Sequence, residues 1–296
     1  MNRAVSISIA LALCAFAGAS HAQRYKPKKG RTSVSVSAGA NPVERDSAEK
    51  RHRQKLDATN AMVLASVGPE IGLRNFSYNQ ALLGGLRSYT NNAIPMGSIG
   101  VEFYPLAQSG TPVARDIGLV GRFGASLSFD SKTKAGDQSA KGTWSRYAIG
   151  ARARIHAGDG AGAPLIGIEG TYGDSKFEFT GTDPVIATIP SVDYKYIRGG
   201  ADIRIPFGAF ALLGGAGYLG ILSSGPFGEQ FPHATIAGVD AKIAATYRVA
   251  ENIEVLAAGD YLRVFSKENP RPGDTFVAGG ALDQYFVIRA GVSLLF

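Results

Sequence analysis

Along residues 283–296, apolar and polar positions alternate almost without a break. Phe286, Ile288, Ala290, Val292, Leu294 and Phe296 share one face, while Tyr285, Val287, Arg289, Gly291, Ser293 and Leu295 share the other. Strand side chains repeat with a period of two, so this segment predicts a strand with one apolar face and one arginine-bearing face. The pattern recurs upstream. Tyr147, Ile149, Ala151, Ala153 and Ile155 oppose Arg146, Ala148, Gly150, Arg152, Arg154 and His156. Val239, Ala241, Ile243, Ala245 and Tyr247 oppose Asp240, Lys242, Ala244, Thr246 and Arg248. Ile197, Gly199, Ala201, Ile203 and Ile205 oppose Arg198, Asp202 and Arg204, and Phe123, Ala125, Leu127 and Phe129 oppose Arg122, Ser126 and Ser128.

The alternation predicts ten strands, at 67–78, 96–105, 117–129, 143–156, 164–177, 193–205, 210–221, 236–248, 252–265 and 284–296. Pro69 restricts where the first ladder begins. Connections alternate in length: 79–95, 130–142, 178–192, 222–235 and 266–283 are long, while 106–116, 157–163, 206–209 and 249–251 are short. Apolar-out, polar-in strands of roughly 9–11 residues with loops of alternating size are the pattern of a transmembrane β-barrel. The expected fold is therefore all-β: a closed, up-and-down antiparallel barrel of about ten strands, with eight or twelve as alternatives. A soluble sandwich would also alternate, but its exposed face would mix Lys, Glu and Thr. A transmembrane helix over the charge-free residues 205–228 conflicts with Pro206, Pro226 and the interior glycines, each costing about 1 kcal/mol relative to alanine.

The chain ends and the composition refine this picture. Residues 1–22 have the form of a cleaved signal peptide, with Arg3, an apolar stretch and Ser20-His21-Ala22 before an expected cut at Gln23. The one cysteine, Cys14, lies inside it, so the mature chain is expected to hold neither disulfide nor thiol chemistry. Residues 23–60 are a basic extension. Arg24, Lys26, Lys28, Lys29, Arg31, Arg45, Lys50, Arg51, Arg53 and Lys55 face only Glu44, Asp46, Glu49 and Asp57. They account for almost all of the formal net charge of +7, leaving residues 61–296 neutral. A short helix over 42–57, capped by Asn41-Pro42-Val43-Glu44, and a short strand within 32–40 are expected there. Glycine, at 38 of 296 residues, exceeds the usual share of about 7%.

Aromatics are expected to gather at the strand ends as interfacial girdles. Phe103, Phe207, Phe210, Tyr247 and Phe296 mark one rim, and Phe129, Trp144, Tyr147, Tyr194, Phe265 and Phe286 the other. The signal peptide, the alternating strands and the terminal Phe296 resemble the small outer-membrane β-barrel superfamily that includes OmpA-, OmpX- and OmpW-type proteins. The resemblance covers residues 61–296. It implies that the last strand is read by the barrel-assembly machinery through Phe286, Val292, Leu294 and Phe296. It also implies an outer-membrane location, among phospholipid and lipopolysaccharide.

The inward positions carry the acids Glu70, Glu102, Glu169, Asp202, Asp240, Glu254 and Asp260. The bases are Arg74, Arg122, Arg146, Arg152, Arg154, Arg198, Arg204, Lys242 and Arg289. In a narrow lumen these are expected to form a closing network of ion pairs. The leading expectation is therefore a non-enzymatic barrel with a structural or surface-interaction role. Alternatives are a narrow passive pore with an arginine-biased, anion-preferring constriction, or an outer-membrane hydrolase. For the hydrolase, His52 and His156 are poorly placed and His233, beside Pro232 and near Glu229, is the one candidate base, without a marked nucleophile. No metal or cofactor is expected. The Gly215–Gly220 GxGxxG with Asp240 twenty residues on lacks the strand–turn–helix context of a dinucleotide site. The basic tail suits acidic cell-wall polymer better than nucleic acid, because aromatic interleaving is missing.

Overall fold

The computed structural model describes residues 56–82, 85–109, 111, 113–132, 139–158, 162–180 and 191–296. The signal peptide, the basic extension up to Lys55, and the helix and strand expected within it lie outside the described residues. Eleven strands follow in order: β1 (Val63–Asn79), β2 (Tyr89–Phe103), β3 (Ile117–Ser126), β4 (Phe129–Lys132), β5 (Ser139–His156), β6 (Leu165–Thr180), β7 (Val192–Phe207), β8 (Phe210–Ser223), β9 (Thr235–Ala250), β10 (Ile253–Lys267) and β11 (Gly280–Leu295). One short helix, α1 (Pro226–Gln230), lies between β8 and β9.

Consecutive strands pair antiparallel except β3 and β4, which both lie along β5, and β1 pairs with β11. The sheet therefore closes on itself through ten strands. Closure removes the free edges that an open sheet would expose. The short β4 continues β3 along β5 above the closed ring. We call the end where β1 begins and β11 finishes the base, and the end bearing the long connections the crown. The expected strand centres hold, but strands run further at both ends: β2 begins at Tyr89, toward the crown, and β1 at Val63, toward the base. Pro69 does not delay β1: it faces Gly97 of β2, and the β11 ladder skips from Val67 to Glu70 around it.

The outward face is apolar along much of the barrel, with Ile149, Ile168, Ile197, Ile243 and Ile288 all largely exposed. Among the described residues no helix is long and apolar enough to cross a membrane. The charge-free run 205–228 instead forms the β7–β8 hairpin and the start of α1.

Three aromatics expected on the outward crown girdle turn inward. Phe129, Trp144 and Tyr194 are buried in the interior. For Phe129 the cause is a one-residue slip. Ala125 pairs with Ser145, yet Phe129 pairs with Gly142, so β3–β4 carries one extra residue at Leu127-Ser128. A slip of one residue reverses the faces of everything beyond it. Leu127 stays outward, and the Phe129 ring fills the space a side chain on Gly142 would need. Trp144 and Tyr194 share the parity of Arg146 and Arg198, so alternation puts them inside. Tyr147, Phe265 and Phe286 do face outward, as do Phe103, Phe207, Phe210, Tyr247 and Phe296 at the base.

Candidate functional site: a stratified lumen

The lumen is filled in layers, each set by the inward residues at one height. The crown half is apolar. Phe76, Tyr89, Trp144, Phe177, Tyr194 and Tyr285 form a buried cluster, which Phe227 and Phe231 of the α1 segment join from above. Ring centroids stand 5.0 Å apart for Trp144–Tyr285 and 5.3 Å for Phe177–Phe179. Edge-on and tilted pairs at these distances suit the aromatic quadrupole.

At the centre of this layer lies a fully buried ion pair. Arg74 donates from Nε to Asp283 Oδ1 at 2.9 Å and from Nη2 to Oδ2 at 2.8 Å. The hydroxyls of Tyr285 and Tyr194 donate to the same carboxylate at 2.8 and 3.1 Å. The guanidinium carbon lies 4.2 Å from the Phe177 centroid, giving a cation–π contact in a dry setting. Arg74 is thus not part of the polar network below, contrary to the sequence expectation that grouped it there. Its partner Asp283 was readable from the parity of the last strand, being in step with Tyr285 and Arg289.

The middle layer holds the ion-pair network. Glu169 accepts both Nη atoms of Arg122, at 2.9 and 2.6 Å, and is also met by Arg152 and Arg198. Asp202 accepts the Arg152 fork and Lys242 Nζ at 2.9 Å. Asp240 accepts the Arg198 fork. Glu70 accepts Arg146 Nη2 at 2.6 Å and lies 3.8 Å from Arg289 Nη1. Glu102 stands 3.4 Å from Arg152 Nε and accepts the Tyr104 hydroxyl. Charge-assisted forks of this kind fix geometry as well as energy.

Near the base, Glu254 binds Arg204 Nη2 at 2.9 Å and Arg248 at 3.5 Å. Arg154 again stands apart from the network. It stacks 3.5 Å over Tyr104, sits 3.6 Å from Asp116, and donates to the carbonyls of Ala58 and Ala61 at 3.2 and 3.3 Å. Residues 56–61 thereby pack onto the base, with Ala58 and Ala61 buried against Leu295. Asp116, in a short connection, is a second acid the strand pattern did not flag. It also pairs with His156 Nε2 at 3.0 Å.

The glycine excess now has a local reason. A side chain on Gly217 would meet the Arg198 guanidinium at 2.6 Å, and one on Gly215 would meet Asp202 Cβ at 2.7 Å. These two glycines of the GxGxxG string leave space for inward charges in β8. His233 follows α1 at the crown, where its carbonyl accepts from Asn269, while His156 lies at the base.

The loop after β10 contributes one titrating group outside the strands. Glu268 is buried, accepts the Ser266 hydroxyl at 2.7 Å through Oε1, and leaves Oε2 without a partner among the described residues. Burial pushes its pKa above the ordinary glutamate range, against the Ser266 bond that lowers it. The folded state therefore holds this proton more tightly than the unfolded chain. Stability from this group is fully present below the unfolded glutamate pKa of about 4.3 and declines as pH rises through the raised value. Glu268→Gln should flatten that part of the pH–stability profile, measured by guanidinium titration between pH 4 and 8. An unchanged profile would remove Glu268 from the titration.

Below the aromatic layer a cavity of about 320 Å³ remains, bounded by Trp144 and Tyr285 toward the crown and by Leu64 and Leu295 toward the base.

No family profile and no curated protein matches the chain. Solved structures do resemble it in overall form. An outer membrane channel from Pseudomonas putida F1 is 9% identical, with 80% of this chain and 98% of that one covered and a TM-score of 0.42. The transport unit of the autotransporter AIDA-I from Escherichia coli is 11% identical, covering 87% and 100%, with a TM-score of 0.41. Neisserial surface protein A is 10% identical, covering 78% and 97%, with a TM-score of 0.33. At 9–11% identity the likeness is one of overall form alone.

Proposed function

We propose that the mature chain is an integral outer-membrane barrel whose lumen does not conduct, and whose role is structural or surface-interacting. The base then faces the periplasm and the crown the cell exterior. Lipid and lipopolysaccharide surround the isoleucine-rich outward face. The basic 24–55 tail reaches acidic cell-wall polymer. The outward set of Phe286, Val292 and Leu294 in β11, with Phe296 just beyond it, serves the assembly machinery.

The observation that carries the non-conducting reading is the crown-half aromatic layer locked around Arg74–Asp283. Fourteen side chains of the cluster besides Ala278 and Ala281 are buried there, among them Phe76, Phe177 and Tyr285 at 1% exposure or less. Ions crossing this layer would leave water for packed rings, at a cost far above thermal energy. Planar-bilayer recording of the purified protein is expected to give no steady ohmic conductance. Stable openings with anion selectivity would overturn this reading in favour of the narrow pore.

A further inference from the structure

The charges around the central cavity are nearly balanced in number but not in position. Glu70, Glu169 and Asp202 are pressed against the wall, with side chains 0–2% exposed. Their partners Arg122, Arg146, Arg289 and Lys242 keep 38, 26, 24 and 26% of their side chains open to the interior. Arg289 is the least engaged. It makes no hydrogen bond among the described residues, its Nε is buried without a partner, and its one ion pair spans 3.8 Å. The cavity surface is therefore more cationic than its composition. Glu102 and Asp240 offset it in part, and Asp260, opposite Lys242 in the ladder, faces the cavity with no ion pair among the described residues.

The geometry points to a binding chamber for a small free oxyanion of the phosphate or polycarboxylate class, held by Arg289 with Arg146 and Arg122. At roughly 30 Å³ per water, the volume of about 320 Å³ holds on the order of ten waters, enough for such an anion and part of its shell. A lipid headgroup with its acyl chains exceeds a space of this size. Arg289 Nε and the nearby Glu70 Oε1 are both buried without a hydrogen bond among the described residues, so the Arg289 guanidinium is not committed to a protein acceptor. With the crown half packed by aromatic rings, exchange runs through the base, past the Arg204–Glu254 pair and residues 56–61. The chamber does not depend on the non-conducting reading; a pore would carry the same site.

The test uses the mature protein in detergent, titrated with inorganic pyrophosphate against sodium chloride at matched ionic strength, by calorimetry and by thermal unfolding. Saturable one-to-one binding that exceeds the chloride control is expected. Arg289→Gln breaks no hydrogen bond and should weaken binding by about tenfold, the scale of a charged hydrogen bond. Asp260→Asn removes an unpaired acid and should tighten binding several-fold. Because the two variants move affinity in opposite directions, a general loss of folding cannot imitate the result. Both variants must also keep the wild-type heat-dependent gel mobility. The proposal fails if pyrophosphate binds no better than chloride, or if Arg289→Gln leaves its affinity unchanged.

Discussion

Replacing Asp283 by alanine is expected to cost about 3–5 kcal/mol of unfolding free energy, the range for removing one partner of a buried ion pair. The estimate follows from what is left behind. Arg74 would keep its charge among Phe76, Tyr89, Phe177 and Tyr285 with no counter-ion. Its Nη1 already lacks a partner, so no alternative acceptor stands in reserve among the described residues. The hydroxyls of Tyr194 and Tyr285 would lose their shared acceptor as well. A solvated guanidinium would avoid this cost, but reaching water would mean opening the aromatic layer.

The double substitution Arg74→Met with Asp283→Leu separates charge from shape. Burying an ion pair is costly in itself, so two apolar residues of similar volume should recover most of the loss. The chain has a single tryptophan, Trp144, whose ring lies 5.0 Å from that of Tyr285. Its fluorescence reports on this layer directly during guanidinium titration in phospholipid vesicles. If Asp283→Ala costs less than about 1 kcal/mol, the pair is not dry, and the layer is wetter than its packing implies.

The strand plan was readable because outward-facing and lumen-facing positions alternate over ten or more residues at a time. Strands β5, β7, β9 and β11 each keep their arginines on one parity, which leaves the faces unambiguous. Where the reading went astray, a looser rule overrode parity. Trp144 and Tyr194 were expected on the rim because aromatics gather there, although Arg146 and Arg198 share their parity. Phe129 was misplaced for a different reason. The extra residue at Leu127-Ser128 is visible only from the pairing with β5, since nothing in Ser126–Phe129 announces a bulge.

The polar layer was legible for the same reason as the strands. The inward charges around Glu70, Glu169 and Asp202 follow from parity alone. Which partners meet is another matter, because pairing across a lumen depends on stagger and on the depth of each residue. Arg74 looked like one more lumenal arginine, yet its height among Phe76, Tyr89 and Phe177 removes it from the network. Asp116 escaped notice because a connection has no period to read. The glycines in β8 were legible only as a close approach; that the approaching group is Arg198 needed coordinates.

Everything about the location of the barrel turns on what surrounds Ile243. It lies halfway along β9, faces outward, and is 69% exposed. Water and hydrocarbon make opposite demands here. In a soluble barrel an exposed isoleucine gains nothing, and Ile243→Arg would change stability by no more than about 0.5 kcal/mol. At the middle of a bilayer the same substitution costs about 2–4 kcal/mol, because the guanidinium must thin the membrane or drag water inward. Val249, near the base end of β9 and also exposed, supplies the depth control. Val249→Arg should cost about 0–1 kcal/mol, since near the interface the side chain reaches water. The expected result is thus a difference of roughly 2 kcal/mol between the two arginine variants, read by guanidinium unfolding from vesicles with Trp144 fluorescence. Equal and negligible costs at both sites would mean that water bathes the isoleucine face, and the membrane placement would fall.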